Sequence, residues 1–499
     1  MSYSVDRIYS IARVFGVYKE WPSCIKIIEI YPDNPLHSIN SAIDLGIDSL
    51  TLVLDKIDDK TNDLITLVRL IGKVHIISID DIPKDADYDL AILNDYDLLM
   101  ARYSEQHISI MNSQDYFDAV SNNGLRKFSM IIESVKHDGL IVLKHQVARP
   151  DTHAPHIIDM LRYYVKDIAG LEEKVLAARY FLSILCDQDH ENSSDFRQAK
   201  IINDMIQHLS SHNVFWKFLA DSHERLPFFK FTSMAKSLGL KYISDYNLKS
   251  MLVGDIPIKI REVLNGLDDV IKNEQYLDYL RRRCVRSSIF IKTSNLTPIN
   301  YEVSCDVISD FNIRFDVNAA KSLADYTSDD DDSFSFGIEQ KLNTSQLLHK
   351  IVLKLLSEAY PKYLNIEVLI KSCSEYMALS SFEIPDRQDI LNFILCLFFD
   401  ASPDTIEFCG NSSSKLVATC LSASYSLSSI NLELLITESE VIDSKGNYIV
   451  VDDFEREILN KLNSSMKVIE IISGQEKDEK NKIIRFIMKM LKAGIFLKV

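Results

Sequence analysis

Ile25-Lys26-Ile27-Ile28-Glu29-Ile30, the loop Tyr31-Pro32-Asp33-Asn34-Pro35, a helical stretch from Leu36 to Gly46, and Leu50-Thr51-Leu52-Val53-Leu54-Asp55 form the segment that decides the fold. The first and last runs are short, continuous and apolar, which is how a parallel strand buried on both faces reads. Strand, loop, helix and strand make one crossover unit of a doubly wound α/β sheet. In such folds a nucleotide-type cofactor sits at the carboxyl end of the first strand. Its polar tail is met by backbone N–H groups at the helix N-terminus, and only residues without a Cβ allow that approach. This loop contains no glycine. A tyrosine and two prolines stand there instead, and each proline also lacks an N–H.

Outward from this unit, apolar runs near 74–79, 88–93 and 139–144 continue the alternation of strand and helix. A helix carrying Leu125, Phe128, Ile131, Ile132 and Val135 and a turn at His137-Asp138-Gly139 precede the fifth strand. After Pro150 the period becomes helical, with Ile157, Ile158, Leu161, Tyr164 and Ile168 on one face and Leu171, Val175, Ala178, Leu182 and Leu185 on another. A helix over 227–238, a strand over 239–244, a helix over 274–282 and a strand over 287–291 then read as the closing part of the first sheet. The expected organisation is a discontinuous Rossmann-like domain over 1–150 and 226–295 with a helical insertion at 151–225. A β-rich connecting segment at 296–345, a winged-helix-like unit at 346–425 and a small helical or winged unit at 426–499 follow it.

The chain of 499 residues is 46% apolar, enough for several cores, and carries a formal charge of −17 with a pI near 5.2. Such an acidic balance opposes nucleic acid, because binding a polyphosphate needs clustered Lys and Arg that displace counterions. The opening residues lack the apolar core of a signal peptide, and the very apolar run Phe393 to Phe399 is too short to span a bilayer. A cytoplasmic product is expected, with secretion by a leaderless route left open. Eight cysteines lie far apart and read as free, mostly buried thiols. Fourteen glycines, roughly 3% against a typical ~7%, leave few ligand-cradling loops.

Several stretches carry a resemblance in a fixed order. Arg149-Pro150-Asp151-Thr152-His153, Ile157-Ile158-Asp159-Met160-Leu161 and Glu173-Lys174-Val175-Leu176-Ala177-Ala178-Arg179 come first. Leu226-Pro227-Phe228, Gly239-Leu240-Lys241-Tyr242-Ile243, Glu274-Gln275-Tyr276-Leu277-Asp278-Tyr279-Leu280-Arg281 and Val451-Asp452-Asp453-Phe454-Glu455-Arg456 follow. Together they resemble bacterial class I methyltransferases with a predicted methyltransferase regulatory domain, a family that includes the rickettsial-type protein-lysine methyltransferases that modify outer-membrane proteins. The resemblance is strongest from 148 to 290, and the run from Glu274 to Arg281 is its most specific piece. It implies S-adenosylmethionine as methyl donor and a protein-lysine substrate. Of the implied donor residues, Glu29 and Asp55 stand where the family has its strand-end acids, and Asp33 and Asn34 lie in the intervening loop. The family's loop glycines correspond to Tyr31, Pro35 and Leu36, and its asparagine to His37. The family's Pro-Gly-Trp-His element has become Pro150-Asp151-Thr152-His153, keeping the proline and histidine as substrate-side or structural residues.

Two readings of this site stand side by side. In the first the donor loop is defunct, no cofactor is held, Glu29 and Asp55 are inherited strand-end carboxylates, and the chain is a binding or regulatory scaffold. In the second it is an active protein-lysine methyltransferase that binds S-adenosylmethionine through an atypical loop. A weaker third reading is a winged-helix transcription regulator, opposed by the acidic charge. His153 and His156, with Asp151 and His145, have a spacing that admits a metal, but helix capping by Asp151 or Thr152 explains the segment and no metal is expected. The basic knot Arg281, Arg282, Arg283 and Arg286 reads either as an anion site or as a structural element. Asp329 to Asp332 reads as a solvated loop without calcium-loop spacing. The expected partner is a protein, whether substrate or binding target, with no nucleic acid and no membrane span, and a homo-oligomer is compatible with the sequence.

Overall fold

The computed structural model describes residues 3–18, 25–32, 38, 48–54, 74–83, 86–94, 99, 125–147, 155–186, 194–207, 211–219, 226–267, 269–293, 299–319, 321–326, 330–336, 340–360, 363–380, 382–400, 406–410, 425–427, 440–442, 448–463, 471, 479, 482–483, 486–487 and 496–498. Its centre is a seven-stranded sheet built from β1 (Lys26–Ile30), β2 (Ser49–Val53), β3 (Val74–Ile77), β4 (Tyr88–Leu93), β5 (Val135–Gln146), β6 (Leu240–Asp245) and β7 (Val285–Lys292). The spatial order is β3-β2-β1-β4-β5-β7-β6. The first five strands are parallel, whereas β7 runs antiparallel to both β5 and β6. The crossovers change direction between β1 and β4. The carboxyl ends of those two strands therefore border the crevice where open α/β sheets place ligands.

Continuous apolar runs form these strands because both sheet faces are covered. Ile27, Leu50, Leu52, Leu90, Ile92, Leu140 and Val142 point to one core, and Ile28, Ile30, Val53, Ala91, Leu93, Ile141 and Leu143 to the other. The second core is closed by a helix over 125–134 and by α1 (Phe228–Ser237). The turn expected at His137-Asp138-Gly139 is instead an irregularity inside β5. The helix stops at 134, Asp138 takes φ 62°, and the register slips between Tyr88 opposite Val135 and Leu90 opposite Leu140. A Cβ on Gly139 would run into the Val135 side chain. Helices Pro155–Val165, Leu171–Cys186 and Ser194–Gln207 pack on one another through Leu161, Val175, Ala178, Leu182 and Ile202, with their own core.

The first core is closed by a helix that the sequence reading passed over, Val5–Val14, whose Ile8, Ile11 and Ala12 are fully buried. It also ties the sheet to the C-terminal half: the Ser10 hydroxyl donates to the Phe408 carbonyl at 3.0 Å, and Arg13 pairs with Asp310 at 2.5 Å. There β8 (Asn312–Phe315), from the stretch read as a connecting segment, is the middle strand of three, flanked by Leu364–Asn365 and Ile406–Cys409. Three helices, Leu347–Ala359, Ile366–Leu379 and Arg387–Asp400, complete that unit. No helix among the described residues is long and apolar enough to cross a membrane.

The aspartate run is not a solvated loop throughout. Asp332 opens the strand Asp332–Phe336, is buried, and pairs with Lys350 at 2.8 Å and Lys321 at 2.6 Å. Lys350 has no exposed surface, and its ammonium also donates to the Asp330 carbonyl at 2.5 Å. A buried ammonium needs its counter-ion, so this pair outweighs the solvation that charge repulsion along the run would favour. Asp332→Ala is expected to lower stability by about 3–5 kcal/mol, measured by urea unfolding; a loss below about 1 kcal/mol would place the pair among weak surface bridges.

Candidate functional site

At the switch point the chain brings two side chains together. Glu29, the next-to-last residue of β1, is buried, and Asn94 follows the last residue of β4. The Asn94 amide nitrogen donates to Glu29 Oε1 at 2.9 Å and to the Ile30 carbonyl at 3.3 Å. Its backbone N–H also reaches the Ile30 carbonyl, at 3.2 Å. Asn94 is 1% exposed, and its Oδ1 has no hydrogen-bond partner among the described residues. Sequence reading named Glu29 as a strand-end carboxylate, and a side-chain amide is one of its partners. Asn94 went unread, although a polar residue ending the run Tyr88 to Leu93 at the switch-point strand is the signal that could have found it.

Tyr31 follows directly. Its backbone takes φ 53°, the left-handed region that glycine favours, with its N–H donating to the Val53 carbonyl at 3.0 Å. The half-buried ring packs against the second core. A bulky residue in this region is held against a penalty of roughly 1–2 kcal/mol. The backbone thus keeps the bend of a glycine turn while carrying a side chain. Asp33, Asn34, Asp55, Pro150 and His153 lie outside the described residues, as do Pro35, Leu36 and His37. Among the described residues no group of three His, Cys, Asp or Glu side chains could hold a metal.

The same edge of the sheet carries a second constellation, which the sequence showed only as a basic knot. Arg286 lies on β7 opposite His145 of β5, and Asp245 ends β6. The helix α2 (Val270–Arg281) brings Glu274 and Asp278, four residues apart and hence on one face. Arg286, without exposed side-chain surface, donates to Glu274, lies 3.2 Å from Asp278 and stacks on the Phe228 ring at 3.7 Å. Arg283 reaches Glu274 at 3.4 Å, Asp278 at 3.3 Å and Asp245 at 3.6 Å. Arg281 turns away to Asp255 and to the carbonyls of Ser250 and Leu252. The knot is therefore a structural element, because three of its guanidiniums are engaged by carboxylates of the chain itself. His145, also buried, stacks on Phe231 at 3.9 Å with the planes 8° apart and meets the Ser288 hydroxyl at 3.1 Å.

Burial sets the electrostatics here. It pushes Asp278 up to about 6 and raises Asp245, in both cases against the pull of Arg286 and Arg283. Tyr242 is held well above its usual value, first by burial and then by Glu274. For Arg286 burial works against the charge, but Tyr242, Glu274, Asp245 and Asp278 outweigh it and keep the guanidinium ionised.

Comparison with known proteins agrees with this architecture. Residues 210–292 match the family model of the predicted methyltransferase regulatory domain. Over its whole length the chain superimposes on PKMT2 from Rickettsia typhi, with TM-score 0.66, 16% identity and 99% of that chain covered. The same protein in complex with AdoHcy gives TM-score 0.65 at 15% identity. This chain has a Rossmann-like α/β fold shared with PKMT2, and residues 210–292 within it match the methyltransferase regulatory domain. An uncharacterized protein of Rickettsia prowazekii (strain Madrid E) is 23% identical over 316 residues, 59% of this chain and 56% of that protein, so the match spans little more than half of that relative's length.

The regulatory-domain match contains all five charged residues of the buried cluster, together with Phe228 and Tyr242. The run Glu274 to Arg281, which carried the resemblance, is thus specific because its acids must meet two buried guanidiniums. At the other end of the edge, Asn94→Leu removes the amide that supports a buried carboxylate. It should cost about 2 kcal/mol in chemical denaturation, and an unchanged midpoint would show that Glu29 does not depend on it.

Proposed function

We propose that this protein is a divergent relative of the S-adenosylmethionine-dependent protein-lysine methyltransferases whose donor site is closed, and that it serves as a cytoplasmic protein-binding scaffold. Tyr31 carries this reading. The backbone at that position has the left-handed geometry that glycine favours, yet a Cβ and a ring stand where the donor's tail needs bare backbone. The following Pro32 offers no N–H. The donor does not fit such a loop, so no transfer step is derived through it.

The scaffold's docking part is the unit around β8, whose order of helix, short strand, two helices and strand is that of a winged helix. Residues 346–420 hold six Lys and Arg against nine Asp and Glu, a balance that favours protein over nucleic acid. Titration calorimetry with S-adenosylmethionine at about 1 mM, enough to detect binding near −4 kcal/mol, is expected to show no heat of binding. Saturable binding at one site per chain overturns the reading.

An active enzyme is the second reading, and Asn94 favours it: a buried amide oxygen with no partner among the described residues, beside the Glu29 carboxylate, suits an ammonium-bearing donor. Transfer of a labelled methyl group to lysate protein, above a boiled control and lost in Glu29→Gln, would establish that reading; labelling no higher than the control removes it.

A further inference from the structure

We propose that the buried cluster of Asp245, Glu274, Asp278, Arg283 and Arg286 is a proton-operated latch that fixes α2 of the regulatory domain against the carboxyl edge of the sheet. The inference does not depend on whether the donor site is open.

The way α2 is held carries the argument. Of its four buried residues, Glu274, Gln275, Leu277 and Asp278, only one is apolar. Leu277 joins Ile256 and Leu264 in a satellite core of three buried residues, while Tyr276, Tyr279 and Leu280 of the same helix are exposed. Hydrophobic contact is confined to Leu277 and to Val270 and Ile271 in the first turn, which are half-buried against the second core. The rest of its buried face is held by charge and by the Gln275 side-chain oxygen, which accepts the Phe229 N–H at 3.1 Å.

That charge does not balance. Three carboxylates, Asp245, Glu274 and Asp278, face two guanidiniums, Arg283 and Arg286, which leaves one negative charge over in a site closed to water. The segment after β7 brings the Tyr301 hydroxyl, which donates to the Tyr242 carbonyl at 2.8 Å and feels the Glu274 charge. Strand β6 adds the Tyr242 hydroxyl, β5 adds His145 opposite Arg286, α1 adds only the Phe228 ring, and the turn at Leu248–Met251 adds the Ser250 carbonyl, which takes the Arg283 Nη2 hydrogen at 2.5 Å. Both Asp278 oxygens and one Asp245 oxygen have no hydrogen-bond partner among the described residues. A proton on either carboxylate brings the five charges to zero and supplies an O–H donor to a group otherwise rich in acceptors.

The direction of the linkage follows. Asp278 titrates at about 6 when docked, against 3.8 for the free group. A carboxylate with a raised value binds its proton more tightly in the docked than in the undocked form. The stabilisation is complete below the free value and is lost as pH rises through about 6. Acid closes the latch, and neutral pH loosens it.

Hydrogen exchange of the full-length chain, followed by mass spectrometry and corrected for intrinsic rates, reads the opening of α2 directly. Amides of α2 should open about tenfold less often near pH 5 than near pH 7.5, while those of β1 and β4 change little. Asp278→Asn, which keeps the shape and removes the charge, should be protected at both pH values with the pH dependence gone. Should that variant fail to fold, Asp245→Asn and the wild-type profile decide. Equal protection of wild-type α2 at both pH values, looser packing in acid, or a pH dependence that survives both asparagine substitutions overturns the proposal.

Discussion

A sheet covered on both faces leaves only its edges free for chemistry, and that constraint orders this molecule. The central residues of strands β1, β2, β4 and β5 are mostly apolar because Ile27, Ile28, Leu50, Leu52, Leu90, Ala91, Leu140 and Ile141 meet one core or the other. Polar side chains are thereby driven to the carboxyl ends. Two groups collect there. Glu29 and Asn94 stand at the switch point, and the charged cluster stands on β6, β7 and α2. β7 is three strands from β1 in the sheet order, on the order of 14 Å at ~4.8 Å per strand.

The two groups depart from ordinary chemistry in different ways. At the switch point the departure is steric: a residue with a Cβ holds a backbone conformation made for glycine, and local packing together with one hydrogen bond keeps it there. At the far end it is electrostatic. Burial there is complete, but the numbers of acids and guanidiniums differ by one. The charged cluster lies within the stretch that matches the methyltransferase regulatory domain, and the switch point lies in the fold shared with PKMT2.

Much of this could be read from the residues, and the physical reasons for the rest are plain. The strands at Ile25, Leu50, Val74 and Tyr88 announce themselves because runs buried on both faces admit few polar residues. The closing strands at 240 and 285 were legible for the same reason. The helix Val5–Val14 was not, since two arginines, an aspartate and a serine interrupt its apolar stripe; Arg7 and Ser10 are buried by partners far along the chain. The bulge in β5 escaped because Asp138 and Gly139 are turn formers in any local reading, and the pairing of Val135 and Leu140 with β4 on either side of them carries the strand past them. Asp332 escaped for a similar reason, because its counter-ion is on a helix 18 positions later. At the site, Glu29 was visible from its place at a strand end, whereas Asn94 becomes meaningful only once β4 is known to lie beside β1.

The helix Val5–Val14 also has a temporal consequence. Its surface is shared with the sheet and with the strand Ile406–Cys409, and the Ser10 hydroxyl bonds to a carbonyl 398 positions away. Non-local closure of that length is slow because chain entropy must be lost before the contact rewards it. During synthesis this helix must stay uncommitted, with its apolar stripe shielded by other means, until Phe408 has followed it. The interval between the making of the two partners is therefore when this helix is most exposed to aggregation and to chaperone capture.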